Sequence, residues 1–352
     1  MQRTFELLKI LSQASGASGF ETKAALVAME EFKKSCEEVT IDKMGSVIAF
    51  KKGQTEKNIL LAAHLDEIGL MVTKIEKGGY LRFTEVGGFD QRILLAQEVT
   101  IHSKREMKGI IGSKPPHFQE KEEQEKVIKM EDLYIDVGLS QEEVEKSVRV
   151  GDPVTLNAPF VKMKDFGLGE KTIRCAGKSF DNRASVVVLI EAMEFLKEVS
   201  HNWNVYAVAT VQEETIGLGA FTSTYKIHPD LGIAVDVTQG DMLGCAESET
   251  FPLTKGTTIA FGPNIHPRIF EGLIDVAKRE EIPYQIEPCP GVTGTDAAVI
   301  QVVREGIPTG LISIPLRYMH TPVETLAVID IERAARLLAR FIEGLNGWKV
   351  EI

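Results

Sequence analysis

Apolar strands alternate with helical repeats along the second half of the chain. From about residue 180, the apolar runs "NVYAVATVQ" and "LGIAVDV" take turns with segments whose apolar residues recur every three or four positions. These helical segments are "NRASVVVLIEAMEFLKEV", "IFEGLIDVAKREE", "DAAVIQVVREG" and "DIERAARLLARFIEGL". Continuous apolar strands that alternate with helices are typical of a mostly parallel sheet covered on both faces. The pattern therefore predicts an α/β fold with a mostly parallel central sheet covered by helices.

The first part of the chain predicts further elements of this fold. "SGFETKAALVAMEEFKKSCEE" predicts a helix that begins with a capping box from Ser18 to Glu21. A hairpin and a buried strand follow, in "VTIDKMGSVIAFKKG" and "NILLAAHLDE". The next hundred residues differ, because they hold short alternating strands and frequent glycine without a long helical pattern. We therefore predict an α/β domain with a small β-rich domain inserted into it. The predicted ranges are 1–68 and 167–352 for the α/β domain and 69–166 for the insertion.

Charge and composition exclude some classes of partner. The 352 residues carry a net charge of -11, which argues against nucleic acid or an anionic membrane as a partner and suits the binding of cations. The four cysteines are scattered and form no CxxC pair, so neither a thiolate zinc site nor a disulfide framework is expected. The amphipathic start lacks the features of a signal peptide, and no apolar run approaches a membrane span. We expect a cytoplasmic protein.

Side chains of the metal-binding type follow the ends of several predicted strands. In open parallel sheets the carboxyl ends of the strands share one edge, and sites form there. Taken singly, each residue has an ordinary explanation, such as a helix cap or a solvated surface group. Taken together, they would require independent coincidences at the same edge. The residues are His64, Asp181, Glu213, Glu214, Asp236 and His320.

The adjacent glutamates point to a pair of cations. Two carboxylates at the end of a buried strand should repel each other and resist desolvation. Three carboxylates and two neutral imidazoles can hold two divalent cations, with one carboxylate bridging and a position left for water. Neighbouring residues point in different directions, so one glutamate can bind metal while the other acts as general base. Asp66 can share a face with His64 and orient its imidazole.

Several motifs together resemble one known family. They are "AHLDEIGL", "SFDNR", "VQEE", "VDVT", "GTDA" and "SIPLRYMHTPVE". In combination and in order, they are similar to the M42 family of dinuclear metallo-aminopeptidases, also called tetrahedral aminopeptidases and sometimes labelled glucanases. The resemblance spans nearly the whole chain. One departure is "EETIGLGA", where family members often have an arginine and a differently placed glycine.

The resemblance implies a role for each candidate residue. Asp181 takes the bridging role, Glu213 that of catalytic base, and Asp66 that of supporting a metal ligand. The implied ions are zinc or cobalt, with manganese as a further possibility, since Asp, Glu and His ligands suit all three. The implied metal ligands are His64, Asp181, Glu214, Asp236 and His320.

The resemblance also implies an activity and an assembly. The expected reaction is the hydrolysis of N-terminal residues from peptides, and the inserted domain is expected to assemble subunits into a homododecamer. A related metal-dependent deacylase is an alternative, because the same metal site can serve it. Glycoside hydrolysis explains the residues less well, since adjacent glutamates cannot flank a sugar and the histidines would have no role. A catalytically silent shell protein would not need the full ligand set and the base.

Overall fold

The computed structural model of the protein describes residues 1–163 and 173–348. The helices named here fall mainly in the first and last parts of the chain, with two short ones inside the predicted insertion. They are α1 (Gln2–Gln13), α2 (Thr22–Phe32), α3 (Lys121–Gln124), α4 (Gln141–Ser147), α5 (Phe180–Phe195), α6 (Leu218–Ile227), α7 (Pro267–Arg279), α8 (Asp296–Ile300) and α9 (Val328–Glu343).

The strands form two larger sheets and one small one. They are β1 (Glu38–Ile41), β2 (Val47–Lys51), β3 (Asn58–His64), β4 (Gly69–Ile75), β5 (Leu81–Val86), β6 (Glu98–His102), β7 (Glu106–Gly112), β8 (Tyr134–Asp136), β9 (Pro153–Leu156), β10 (Val161–Lys162), β11 (Arg174–Gly177), β12 (Asn204–Thr210), β13 (Leu231–Gln239), β14 (Thr257–Phe261), β15 (Tyr284–Pro288), β16 (Thr309–Leu316) and β17 (Glu324–Ala327).

The central sheet has eight strands in the order β1-β2-β12-β3-β13-β16-β14-β15. Its middle is parallel, because β12, β3, β13 and β16 all run the same way. Antiparallel neighbours occur towards the edges, where the predicted hairpin β1–β2 pairs with β12 and where β14 pairs with β16. Strand β13 is buried along almost its whole length, as expected for a strand covered on both faces. The predicted α/β fold class is confirmed.

Helices cover both faces of this sheet. On one face, α5 packs on β3 and β13 and α9 packs on α5. On the other face, α6 packs on β12, and α8 packs on β13 and β16. Two separate apolar clusters result, and alternate residues of each strand enter them; Leu61 and Ala63 belong to the first, Leu60 and Ala62 to the second. By the same alternation, His64 points to the α6/α8 face.

The inserted β-rich region is a closed antiparallel barrel. Its strand order is β4-β5-β8-β7-β6-β9, and its interior is a separate apolar cluster that includes Leu70, Val99 and Ile135. Closure pairs every strand on both sides and removes exposed sheet edges. Strand β10 instead joins β11 and β17 in the three-stranded sheet. The exact domain boundaries stay a prediction.

The predicted capping box is wrong. Helix α2 begins at Thr22 with Glu21 as its N-cap residue and has no side-chain capping hydrogen bond. The Glu21 carboxylate accepts instead from the backbone N–H groups of Gly19 (2.6 Å) and Gln212 (3.1 Å). The Ser18 hydroxyl lies 3.3 Å from that of Thr215. Both side chains thus contact the turn that carries the glutamate pair. A local sequence motif does not reveal such a contact between distant segments.

Two further findings concern the helices. The pattern of "DAAVIQVVREG" predicts a helix throughout, but α8 ends at Ile300. Its C-terminal part forms turns in which Arg304 adopts a positive φ of 54°. Within residues 1–163 and 173–348, no helix combines the length and the apolarity needed to cross a membrane.

Candidate metal centre

Three parallel strands deliver the first side chains to one edge of the sheet. β3 ends at His64, which lies opposite Thr210, the last residue of β12. The glutamate pair begins three residues after the end of β12, and β13, on the other side of β3, carries Asp236 in its last half. The edge therefore collects an imidazole and three carboxylates, because the carboxyl ends of neighbouring parallel strands coincide.

Asp181 lies between two histidines. It sits in the first turn of α5 but has non-helical torsion angles (φ -74°, ψ 105°), so the turn departs from a regular helix there. Its Oδ1 atom is 3.2 Å from Nε2 of His64, and its Oδ2 atom is 3.2 Å from Nε2 of His320. Each oxygen of one carboxylate thus faces a different imidazole. This is the arrangement expected of a carboxylate shared by two cations.

Other carboxylates complete a group around each histidine. Near His64, Oδ1 of Asp236 lies 4.0 Å from Nε2, and Oε2 of Glu213 lies 3.7 Å from the same atom. Near His320, Oε1 of Glu214 lies 3.4 Å from Nε2. Donor atoms of His64, Asp181 and Glu214 all lie within 4.8 Å of one another. The structure therefore brings together all six residues that the sequence placed at this edge; their individual roles stay predictions.

Asp66 supports both the histidine and the glutamate pair. Nδ1 of His64 lies 3.2 Å from the backbone oxygen of Asp66 and 3.5 Å from its carboxylate. The two carboxylate oxygens accept the backbone N–H groups of Glu213 and Glu214, each at 3.0 Å. The second contact was not foreseen from the sequence. It holds the start of the turn "EETIGLGA" in place.

The match to a known family covers most of the chain. The family model described as M42 glutamyl aminopeptidase matches residues 45–337. The chain belongs to the M42 peptidase family. The resemblance seen in the sequence motifs is thereby confirmed, and with it the assignment to aminopeptidases, a class of hydrolase.

Relatives and solved structures agree with membership of the M42 family. A lysyl aminopeptidase of Pyrococcus furiosus is 38% identical over 348 residues, which are 97% of each chain. A TET aminopeptidase from a marine sediment Thaumarchaeota archaeon is 35% identical, with a TM-score of 0.91 over 97% of each chain. The TET1 peptidase of Pyrococcus horikoshii is 30% identical, with a TM-score of 0.83 over 96% of this chain and 99% of that one. It is described as able to assemble into a tetrahedron or a large octahedral shell.

Two buried acids of this M42 site could not be singled out from the sequence. The Glu324 carboxylate accepts backbone N–H groups from Phe180 (2.6 Å), Asp181 (3.2 Å) and His320 (2.9 Å). One side chain thus fixes two segments that carry candidate ligands. Asp296 is also buried and accepts from the Thr210 hydroxyl at 2.6 Å. Both residues lie inside motifs quoted above, but only the fold reveals which backbone groups they contact.

Buried negative charges at the site are not fully balanced by the described part of the chain, so added positive charge would stabilise them. Burial, reinforced by the charges of Asp296 and Glu214, raises the pKa of Glu213 to about 8. Burial likewise raises the pKa of Asp236 well above its ordinary range. Hydrogen bonds to Asp181 and Glu214 raise the pKa of His320 to about 11. The cluster therefore retains protons at neutral pH that the isolated groups would have lost.

The buried oxygen of Asp181 supplies a more specific test of the fit to cations. Among the described residues, Oδ1 has no hydrogen-bond partner, although it is shielded from water. If the imidazole of His64 donates from Nδ1 to the Asp66 backbone oxygen, its neutral form has only a lone pair at Nε2. Two lone pairs then face each other across 3.2 Å. A cation between them satisfies both, so the residues present fit a divalent metal.

Proposed function

We propose that this M42 peptidase is a dinuclear metal-dependent aminopeptidase that removes N-terminal residues from peptides. The observation that carries the proposal is the Asp181 carboxylate, whose two oxygens each face one histidine at 3.2 Å. One ion would be held by His64, Asp181 and Asp236. The other would be held by His320, Asp181 and Glu214. Zinc or cobalt suits this set of ligands best, and manganese is also compatible with it.

The protein's own groups account for the proton transfers. Divalent cations, when bound, supply polarisation of the scissile carbonyl and a lower pKa for water. Glu213 is left outside both ligand groups and beside His64. Its ionised carboxylate can take a proton from the attacking water and return it to the leaving nitrogen. Asp66 keeps Glu213 in place through the backbone N–H.

Glu324 is expected to position the ligands through the backbone. Glu324→Gln puts an amide N–H₂ against backbone donors, so at least one of the three N–H groups loses its acceptor. We expect metal affinity to fall about 10- to 100-fold, as measured by calorimetric titration of the metal-free protein with zinc. Asp330→Asn is the matched control, because that buried carboxylate accepts two backbone N–H groups of the loop before β14. An equal loss of affinity in both variants would show a general loss of stability and not a positioning effect.

A deacylase is the main alternative, and the free α-amine separates it from an aminopeptidase. A leucyl-peptide and its N-acetylated form offer the same scissile bond but differ in the terminal amine. We expect the zinc- or cobalt-loaded protein to release leucine from the first and to leave the second intact, as followed by chromatography of the products. Preferential cleavage of the acetylated form would favour the deacylase. Release of sugar from carboxymethylcellulose, with no release of leucine, would favour a glycoside hydrolase.

Self-association is proposed to involve the inserted barrel. The TET1 peptidase of Pyrococcus horikoshii is described as able to assemble into a tetrahedron or a large octahedral shell, and this chain exposes large apolar side chains in the inserted region, including Ile110, Phe118 and Val150. Exposed apolar groups of this size on one domain favour protein contacts. We expect a homododecamer, to be checked as molar mass by light scattering; a monomeric mass would contradict it.

Relatives of the family are named for different residues, lysyl in one case and glutamyl in another, so membership of the family leaves the preferred N-terminal residue open.

A further inference from the structure

A further acidic group lies close to the candidate metal centre but belongs to neither ligand group. It is Glu287 on the edge strand β15. Its Oε1 accepts from the Thr238 hydroxyl at 2.7 Å, and its Oε2 accepts from the Thr258 hydroxyl at 2.5 Å. Both threonines are buried, whereas Glu287 is only partly buried. The two hydroxyls fix the carboxylate at a defined place above the sheet.

That place is next to the candidate metal centre. Thr238 follows Asp236 by two residues on β13, so their side chains share a face of the sheet and lie roughly 7 Å apart. Asp236 and Thr258 both lie opposite Ser313 in the strand pairing. The Glu287 carboxylate therefore reaches across β14 and β16 to the face from which Asp236 projects. A substrate whose scissile bond sits at the metal centre has its first side chain within reach of it.

Among the described residues, the charge of Glu287 has no counterpart. Within the described part of the chain, no lysine, arginine or histidine nitrogen forms an ion pair with its carboxylate. A carboxylate offers about four acceptor positions, and the two hydroxyls use two of them. Partly buried carboxylates are usually paired, because desolvation without a partner is costly. The remaining acceptor positions, on the side open to solvent, suit a cation supplied by the ligand.

We propose that Glu287 selects substrates with a basic N-terminal residue by binding its ammonium or guanidinium group. The inference rests on the proposed aminopeptidase function and adds the class of substrate to it. A lysine ammonium stands on a four-carbon stem, roughly 6 Å from its Cα, which matches the spacing along β13. Arginine can in addition bind a carboxylate through two parallel hydrogen bonds.

Lysine and norleucine isolate the contribution of the ammonium group, because their stems are the same. We expect kcat/KM of the metal-loaded protein to be at least about 10-fold higher for lysyl-p-nitroanilide than for norleucyl-p-nitroanilide. Glu287→Gln keeps the shape and one acceptor oxygen but removes the charge. The variant should lower kcat/KM for the lysyl substrate and so abolish most of the preference. The kcat/KM for the norleucyl substrate should stay unchanged.

Asp241→Asn is the matched control, since it also removes one negative charge from a loop that follows β13. Asp241 is already paired with Arg317 at 2.8 Å, so its loss should leave the preference for lysine intact. Free lysine should also inhibit the wild-type protein at lower concentration than free norleucine, a measurement that needs no variant.

Three outcomes would overturn the inference. The first is equal cleavage of both substrates by the wild-type protein together with equal inhibition by both amino acids. The second is an equal loss of both rates in Glu287→Gln, which would make Glu287 only a structural partner of the threonines. The third is an equal fall in lysine preference in Asp241→Asn. A metal-loaded protein that cleaves neither substrate would instead overturn the proposed aminopeptidase function itself.

Discussion

Glu213→Gln is expected to lower kcat by roughly 10²- to 10⁴-fold while both metal ions stay bound, which is the usual contribution of a general base. Glutamine keeps the size of the side chain and cannot take up a proton. Its backbone N–H still donates to Asp66, so the turn should keep its shape. The rate of leucyl-p-nitroanilide hydrolysis and the metal content by elemental analysis are measured on the same sample.

Glu214→Gln is the natural comparison, because the two residues are adjacent and both donate their backbone N–H to Asp66. Glu214 lies 3.4 Å from Nε2 of His320 and is proposed to bind metal. Its variant should therefore lose metal as well as activity. If Glu213→Gln loses metal and Glu214→Gln keeps it, the two assignments must be exchanged.

Removing the metal ions is expected to abolish activity and to destabilise the folded protein. Without cations, the buried carboxylates at the strand ends repel one another. The apparent stability of the protein should rise again when zinc or cobalt is added, since ligands that bind only the folded state stabilise it. A metal-free protein as stable as the loaded one would contradict this expectation.

The metal-free protein should also lose stability as the pH rises. The pKa of Glu213 is raised from 4.5 to about 8, and that of His320 from 6.5 to about 11. Both groups hold protons more tightly in the folded than in the unfolded state, so unfolding releases protons. The free energy of unfolding should therefore fall between about pH 5 and pH 8 through Glu213, and between about pH 7 and pH 11 through His320. Urea unfolding at several pH values measures it, and the loaded protein should show a weaker dependence because the cations replace the protons.

The sequence was sufficient to predict most of the candidate ligands because they follow apolar strands. His64 and Asp236 end or nearly end runs whose burial is evident from composition alone, and the rule for parallel sheets places such ends together. His320 lies in the loop after β16 and Asp181 in the first turn of α5, and the specific role of each came from the resemblance to a family. The structure then showed the relation between them, with one carboxylate between two imidazoles.

Contacts between distant segments could not be predicted in this way. Glu324 acts on backbone N–H groups that come from two other segments of the chain, and Glu287 reaches threonines on two other strands. Neither contact leaves a periodic signal. The capping box failed for the same reason, because Glu21 accepts from Gln212, 191 positions away, and not from its own helix. Local patterns identify elements, whereas tertiary contacts decide what polar side chains do.

Activity as a function of bound metal tests the dinuclear account most directly. The protein is stripped with a chelator until elemental analysis detects no metal, and leucyl-peptide hydrolysis is then measured as zinc or cobalt is added in known amounts per subunit. The account predicts no hydrolysis at zero metal and full activity once two ions are bound to each subunit. Full activity in the metal-free protein would contradict it, and with it the role given to Asp181 between His64 and His320.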